Sequence, residues 1–294
     1  MRLPVKFNRA SLPGPCKGLL PAMEDPSPLL EGSALSRPDF VRSVSAVFIG
    51  GTWKTTRSAR HPLSDAVIAA LAQPSTRILD VGASAGVTSL ELIERLGTQF
   101  LRYYVTDAYC KIWGQKTRQG TDFYYPDGRC ILRSRAGLLF YGQTRGGLYP
   151  FQQIADWMTR KAPALDPARA VGLSLFLPDL IRKAALDERI CIEQWSVFQP
   201  WFSTPVDLAR AANLLNRTYF SDRQIKEALG NLRLAIKPGG NLLLTENRQV
   251  EQWSLLLNGP SGFELVDRGN GGSDIESLAC ERPAAEGWTG GITP

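Results

Sequence analysis

Five residues of this chain have the types and spacing to hold a ligand: Asp80, Gly82, Ser84, Gly86 and Asp107. The first four lie in the run Ile78-Leu79-Asp80-Val81-Gly82-Ala83-Ser84-Ala85-Gly86. Glycine there lets the backbone turn tightly or approach a ligand that a Cβ would block. Asp107 closes a second apolar run, Tyr103-Tyr104-Val105-Thr106. It follows the loop by about 20 residues, the spacing at which a carboxylate accepts hydrogen bonds from ribose hydroxyls.

The elements that must position these residues are legible. Residues 78–81 read as a short buried strand, and Val87, Leu90, Leu92, Ile93 and Leu96 as the packed face of a helix. Strand, small-residue loop and helix in that order place the loop at the carboxyl end of a parallel sheet. A helix with Leu63, Val67, Ile68 and Leu71 on one face leads into the first strand. Further strands are predicted at 190–197 and Val206–Ala212, then a helix over Asp222–Ala235 with Ser221 as N-cap. Lys237-Pro238-Gly239-Gly240 breaks that helix, and residues 241–246 read as the next strand. Two more strands, 253–257 and 263–267, flank the turn Asn258-Gly259-Pro260-Ser261-Gly262 as a closing antiparallel pair.

The loop lacks the Gly-x-Gly-x-x-Gly of a dinucleotide site. Its Asp80-x-Gly82-x-Ser84-x-Gly86 form resembles the first motif of class I S-adenosylmethionine-dependent methyltransferases, in which Ser or Ala replaces the middle glycine. The stretch from Val206 through Asn213 to Phe220 is similar to the fourth-strand motif of that family. The resemblance covers about residues 60–110 and 185–280. It implies an α/β fold: a Rossmann-like, seven-stranded, mostly parallel sheet with helices on both faces. S-adenosylmethionine is the implied cofactor. The loop would pass its methionine part, with Asp80 near the ammonium group and Asp107 on the ribose. Ser196, Val197 and Phe198, just past the third strand, stand where the family binds adenine. Asn213, at a parallel strand's carboxyl end, would complete the cofactor or acceptor pocket.

Between Asp107 and Ile190 lie about 80 residues where the family crosses in far fewer. Part of this stretch reads as a hairpin through Asp122-Phe123-Tyr124-Tyr125, the turn Pro126-Asp127-Gly128, and two apolar runs, 130–132 and 138–141. Residues 151–158 and 177–186 read as helical. An insertion of about 120–185 is expected as a lid over the sulfonium end of the cofactor, with a structural embellishment or a dimer surface as its other reading. Tyr124, Tyr125, Phe140 and Tyr141 are its candidate catalytic residues. An aromatic face attracts a cation by about 0.5–2 kcal/mol and excludes water. Candidate bases are scarce: His61 is the only histidine, and it precedes a proline.

Composition bounds the rest. The 294 residues are 44% apolar with a formal charge of +6, and no basic run of five or more occurs, so a nucleic-acid partner is not expected. The five cysteines, Cys16, Cys110, Cys130, Cys191 and Cys280, are odd in number and far apart, which argues against a disulfide framework or a zinc site. Gly50-Gly51-Thr52-Trp53-Lys54-Thr55 lacks the glycine before the lysine that a phosphate loop needs. No secretory signal and no membrane span are visible, and a cytoplasmic location is expected. Residues 1–60 are expected as an arm and helical lead-in, 61–282 as the cofactor domain, and 283–294 as a tail. Three functions follow: a methyltransferase acting on a small-molecule or protein acceptor, a methyltransferase-like lyase or cyclase that releases methylthioadenosine (resembling azetidine-2-carboxylate synthases), or a non-catalytic cofactor-binding module.

Overall fold

The computed structural model describes residues 3–142 and 147–281. The expected tail, 283–294, lies outside the described residues. In chain order the strands are β1 (Val5–Asn8), β2 (Ala22–Met23), β3 (Phe48–Ile49), β4 (Thr52–Trp53), β5 (Arg77–Val81), β6 (Arg102–Asp107), β7 (Lys111–Thr117) and β8 (Gly120–Tyr124). There follow β9 (Cys130–Arg135), β10 (Leu138–Tyr141), β11 (Val171–Ser174), β12 (Ile190–Gln194), β13 (Val206–Ala212), β14 (Ile236–Asn247), β15 (Glu251–Gly259) and β16 (Gly262–Gly269). The α-helices are α1 (Arg37–Ser45), α2 (Pro62–Leu71), α3 (Val87–Leu96), α4 (Phe151–Arg160), α5 (Pro178–Leu186), α6 (Asp222–Ala235) and α7 (Glu276–Cys280). The chain divides into two compact units: one comprises Met1–Arg60, Gly82–Gly97 and Arg102–Ser196, the other His61–Val81, Thr98–Leu101 and Val197–Pro294.

In the first unit, β12 pairs parallel with β6, Gln194 opposite Asp107. This unit also holds a seven-stranded sheet in the order β11-β7-β8-β9-β10-β1-β2, antiparallel except for β1 with β2. The sequence reading expected one mostly parallel sheet with a lid-like insertion; this second, largely antiparallel sheet was not foreseen. Its cause is local. Short strands joined by tight turns at Gly128 (φ +84°) and at Ala136-Gly137 (φ +46° and +77°) can only meander. Residues expected as an N-terminal arm supply β1 and β2, and Val5 stands opposite Phe140. The sheet buries Asp122 completely, with Arg133 Nε at 2.9 Å and Arg135 Nη2 at 2.5 Å from its carboxylate.

In the second unit, β5, β13 and β14 are parallel neighbours, and β14, β15 and β16 continue antiparallel. Continuous burial along Ile78, Leu79, Asp80 and Val81 marks β5 as a strand covered on both faces. α6 begins with a full capping box: Ser221 accepts from the Gln224 amide while the Gln224 side chain accepts from the Ser221 amide. The Lys-Pro-Gly-Gly break is shorter than expected, because β14 starts directly at Ile236, opposite Val206, with a register shift before Leu208. Strand β12 ends at Gln194 rather than at the expected Val197.

Candidate functional site

The loop Gly82–Gly86 and the tip of β6 meet within the first unit. Gly82, Ser84 and Gly86 take φ of +69°, +57° and +72°. A left-handed serine is strained, and such strain collects at ligand-binding loops. Three loop amides are committed to the protein. Ala83 N–H donates to Thr106 O (2.9 Å), Ser84 N–H to Asp107 Oδ2 (2.9 Å) and Gly86 N–H to Ala83 O (2.8 Å). Gly86 is the N-cap of α3, and a Cβ there would stand 2.2 Å from Leu180 and 3.3 Å from Phe176. The glycine is therefore required by the tight turn, one of the two reasons the sequence offers, and also by the packing of α5, which the sequence does not show.

Asp107 is 7% exposed and accepts three donors. Besides Ser84, the Tyr109 amide reaches Oδ1 at 2.9 Å, and the Lys54 ammonium forms an ion pair with the same oxygen. Lys54 is 4% exposed. It stands at the end of the β3–β4 hairpin, whose turn is pinned by the Gly50 amide donating to Tyr125 Oη (3.0 Å). A Cβ on Gly50 would meet the Tyr109 ring at 2.1 Å, so this glycine is fixed by close approach. Gly50–Thr55 is not a phosphate loop by its sequence, and nothing in that run singles out Lys54. The available signal is Gly-Gly between two strand-favouring pairs, Phe48-Ile49 and Thr52-Trp53, which marks a hairpin and so places Lys54 at its end.

Ser196 lies one residue past Trp195, whose amide donates to Asp107 O at 3.0 Å. Of the four candidate aromatics, Tyr125 is linked to this cluster: its ring meets that of Tyr109 at 5.9 Å, and the Arg129 guanidinium lies 4.8 Å over it. Tyr124 donates its hydroxyl to Pro163 O (3.0 Å) and lines a cavity of about 520 Å³ with Arg129, Cys130, Asp156 and Arg160. Tyr141 is fully buried, donates to Ala46 O (3.0 Å) and packs edge-on against Trp53 at 5.0 Å. Phe140 is buried beside it in β10. Burial raises the Tyr124 and Tyr141 phenols above their ordinary value, and each is spent on a carbonyl, so neither serves as a base.

The other expected site residues belong to the second unit. Asp80 is 2% exposed and lies 3.2 Å from Arg210 Nη1. Val197 O accepts from Asn231 Nδ2 at 2.9 Å, and Phe198 packs on Phe220 at 5.2 Å. Asn213, at φ +52°, exchanges two hydrogen bonds with Asn247 (2.9 and 2.8 Å), and its amide lies 3.4 Å from His61 Nε2. His61 is thus buried near the tip of β13, where sequence alone did not put it. A smaller cavity of about 290 Å³ lies nearby in this unit, lined by Arg217, Glu246, Arg248 and Asp274. Among the described residues no cluster of His, Cys, Asp or Glu could hold a metal ion, and no helix is long and apolar enough to cross a membrane.

No protein-family description matches the chain, and no curated protein matches it. Solved structures similar to it include the YcgJ protein of Bacillus subtilis, at 14% identity and a TM-score of 0.32 over 63% of this chain and 51% of that one. The S-adenosylmethionine-dependent methyltransferase SibL is similar at 18% identity and 0.31, over 62% of this chain and 35% of its own. The N-methyltransferase NodS of Bradyrhizobium japonicum WM9, solved with S-adenosyl-L-homocysteine, is similar at 14% and 0.29, over 58% and 52%. The likeness thus spans about half or less of each of those chains.

Proposed function

We propose that this chain is a class I S-adenosylmethionine-dependent methyltransferase with a Rossmann-like fold, acting on a small-molecule or protein acceptor. The observation that carries the reading is Asp107: a buried carboxylate at a parallel strand's tip, hydrogen-bonded to the left-handed Ser84 of the glycine loop. An anionic ligand is disfavoured here, because the Ala83, Ser84 and Gly86 amides that could cradle a phosphate are already spent. A carboxylate accepts about four hydrogen bonds, so Asp107 keeps capacity for a ribose hydroxyl beside its three donors.

When bound, S-adenosylmethionine supplies a methyl group on a sulfonium, activated for transfer. The chain's own part is to hold the adenosyl end through Asp107, Ser84 and Ser196, and to exclude water beside Tyr109 and Tyr125. Tyr124, Arg129 and Arg160 line the cavity offered to an acceptor.

The test is turnover by pure protein. With cofactor and acceptor present, S-adenosylhomocysteine should form in proportion to acceptor. Methylthioadenosine formed without any acceptor would replace this reading with the lyase or cyclase. Calorimetric titration of S-adenosylmethionine should show Asp107→Asn binding more weakly by about 1.5–3 kcal/mol, the worth of one charge-assisted hydrogen bond. Unchanged affinity would remove Asp107 from the site.

A further inference from the structure

We propose that Lys54 and Asp107 together form a clamp for a vicinal diol, with Asp107 accepting from one ribose hydroxyl and Lys54 donating to the oxygen of the other. The inference rests on the reading of Asp107 as a ribose ligand and adds a second, oppositely charged arm to it.

Three observations carry it. Lys54 is nearly inaccessible, yet among the described residues the protein gives its three N–H donors a single acceptor, Asp107 Oδ1. A buried ammonium with donors to spare favours a ligand oxygen, since leaving such groups unmet is costly. Second, Oδ1 already serves Lys54 and the Tyr109 amide, whereas Oδ2 serves only the Ser84 amide. The carboxylate therefore has its spare capacity on Oδ2, for one hydroxyl proton, and the neighbouring hydroxyl is left to a donor. Third, the lysine is held in place rather than free to swing. Its amide donates to Val47 O (3.0 Å), Trp53 before it is wedged between Phe48 and Tyr141 (5.0 Å to each), and the hairpin turn is tied to Tyr125. A donor and an acceptor fixed side by side match the two hydroxyls of a ribose and penalise a sugar lacking either one.

The experiment is a calorimetric titration of the full chain with S-adenosylhomocysteine and with its 2′-deoxy and 3′-deoxy forms, for the wild type and Lys54→Met. The wild type should lose about tenfold in affinity on deletion of either hydroxyl, the worth of one charge-assisted hydrogen bond. Lys54→Met should bind S-adenosylhomocysteine about tenfold more weakly and discriminate at one hydroxyl only. Wild-type affinity with both discriminations intact in Lys54→Met, its circular dichroism unchanged, would overturn the proposal and leave the methyltransferase reading standing. If Lys54→Met does not fold, the wild-type series decides: indifference to the removal of either hydroxyl overturns the clamp. Folded wild type that binds none of the three ligands overturns the clamp and the underlying reading together.

Discussion

Arg210 and Asp80 form an ion pair with no access to solvent on the arginine side: Nη1 lies 3.2 Å from the Asp80 carboxylate, and Nη2 lies 3.0 Å from Asp65. One guanidinium thus binds the strand β5 acid and the first turn of α2. The acid that the family resemblance assigns to a ligand's ammonium is balanced inside the protein. Removing one partner of a buried pair strands the other, so Arg210→Met should destabilise the fold by about 3–5 kcal/mol. Urea denaturation followed by circular dichroism measures it. A loss below about 1 kcal/mol, the level of an exposed pair, would show the pair to be unimportant for stability.

Gly86 and Leu180 should behave as one unit. Gly86→Ala forces a side chain into a left-handed position and onto Leu180, for an expected loss of about 2–4 kcal/mol. Leu180→Ala alone should cost about 2–5 kcal/mol as a cavity. Together they should cost less than their sum, by about 1 kcal/mol or more, because the second change makes room for the first. Strict additivity in denaturant titrations would mean that the strain at Gly86 is wholly backbone.

At the alkaline end, burial pushes the Cys110 and Cys130 thiols up to about 12. In the unfolded chain they ionise from their ordinary value of 9.0. Between these limits the unfolded state holds fewer protons, so the stability that the two thiols confer is complete below pH 9 and is lost as pH rises toward 12. The double variant Cys110→Ala, Cys130→Ala should flatten the decline in urea midpoint between about pH 9 and 11. An identical slope would show that these thiols do not govern the alkaline arm.

The acid arm involves Asp207. Burial pushes its carboxyl up, but the Arg77 amide at 2.6 Å and the Lys237 ammonium outweigh that and hold it below its ordinary value. The stability it contributes is present above the unfolded value of 3.8 and is lost as pH falls through the lower folded one. Asp207→Asn should therefore lower stability at neutral pH and weaken the pH dependence below about 4. A neutral-pH midpoint equal to that of the wild type would refute the assignment.

What the sequence discloses follows the range of the interactions. Elements set by neighbours along the chain stand where the pattern puts them: β5, α3, β13 and α6, with the Ser221 cap. The meeting of Ser84 with Asp107 follows from strand–loop–helix order. Lys54 was not legible as a partner of Asp107, because 53 residues separate them and nothing in a buried ion pair is periodic. The second sheet was illegible as a whole for a related reason. Its hairpins are local, but residues 5–8 carry no sign that they complete a sheet more than a hundred positions later. Asp80 shows the opposite failure: its motif was visible, and Arg210, which neutralises it, was not.

The pairing of Val5–Asn8 with Leu138–Tyr141 orders events during synthesis. At about 5–20 residues per second, the N-terminal strand waits on the order of ten seconds outside the ribosome before its neighbour exists. Closing so long a segment also makes this strand a late arrival in refolding, since the entropy of the loop is lost before the contact forms. Until then, the backbone N–H and C=O groups of Val5–Asn8 that Leu138–Tyr141 will meet stay unpaired and open to any other extended segment, the hazard of a bare strand edge.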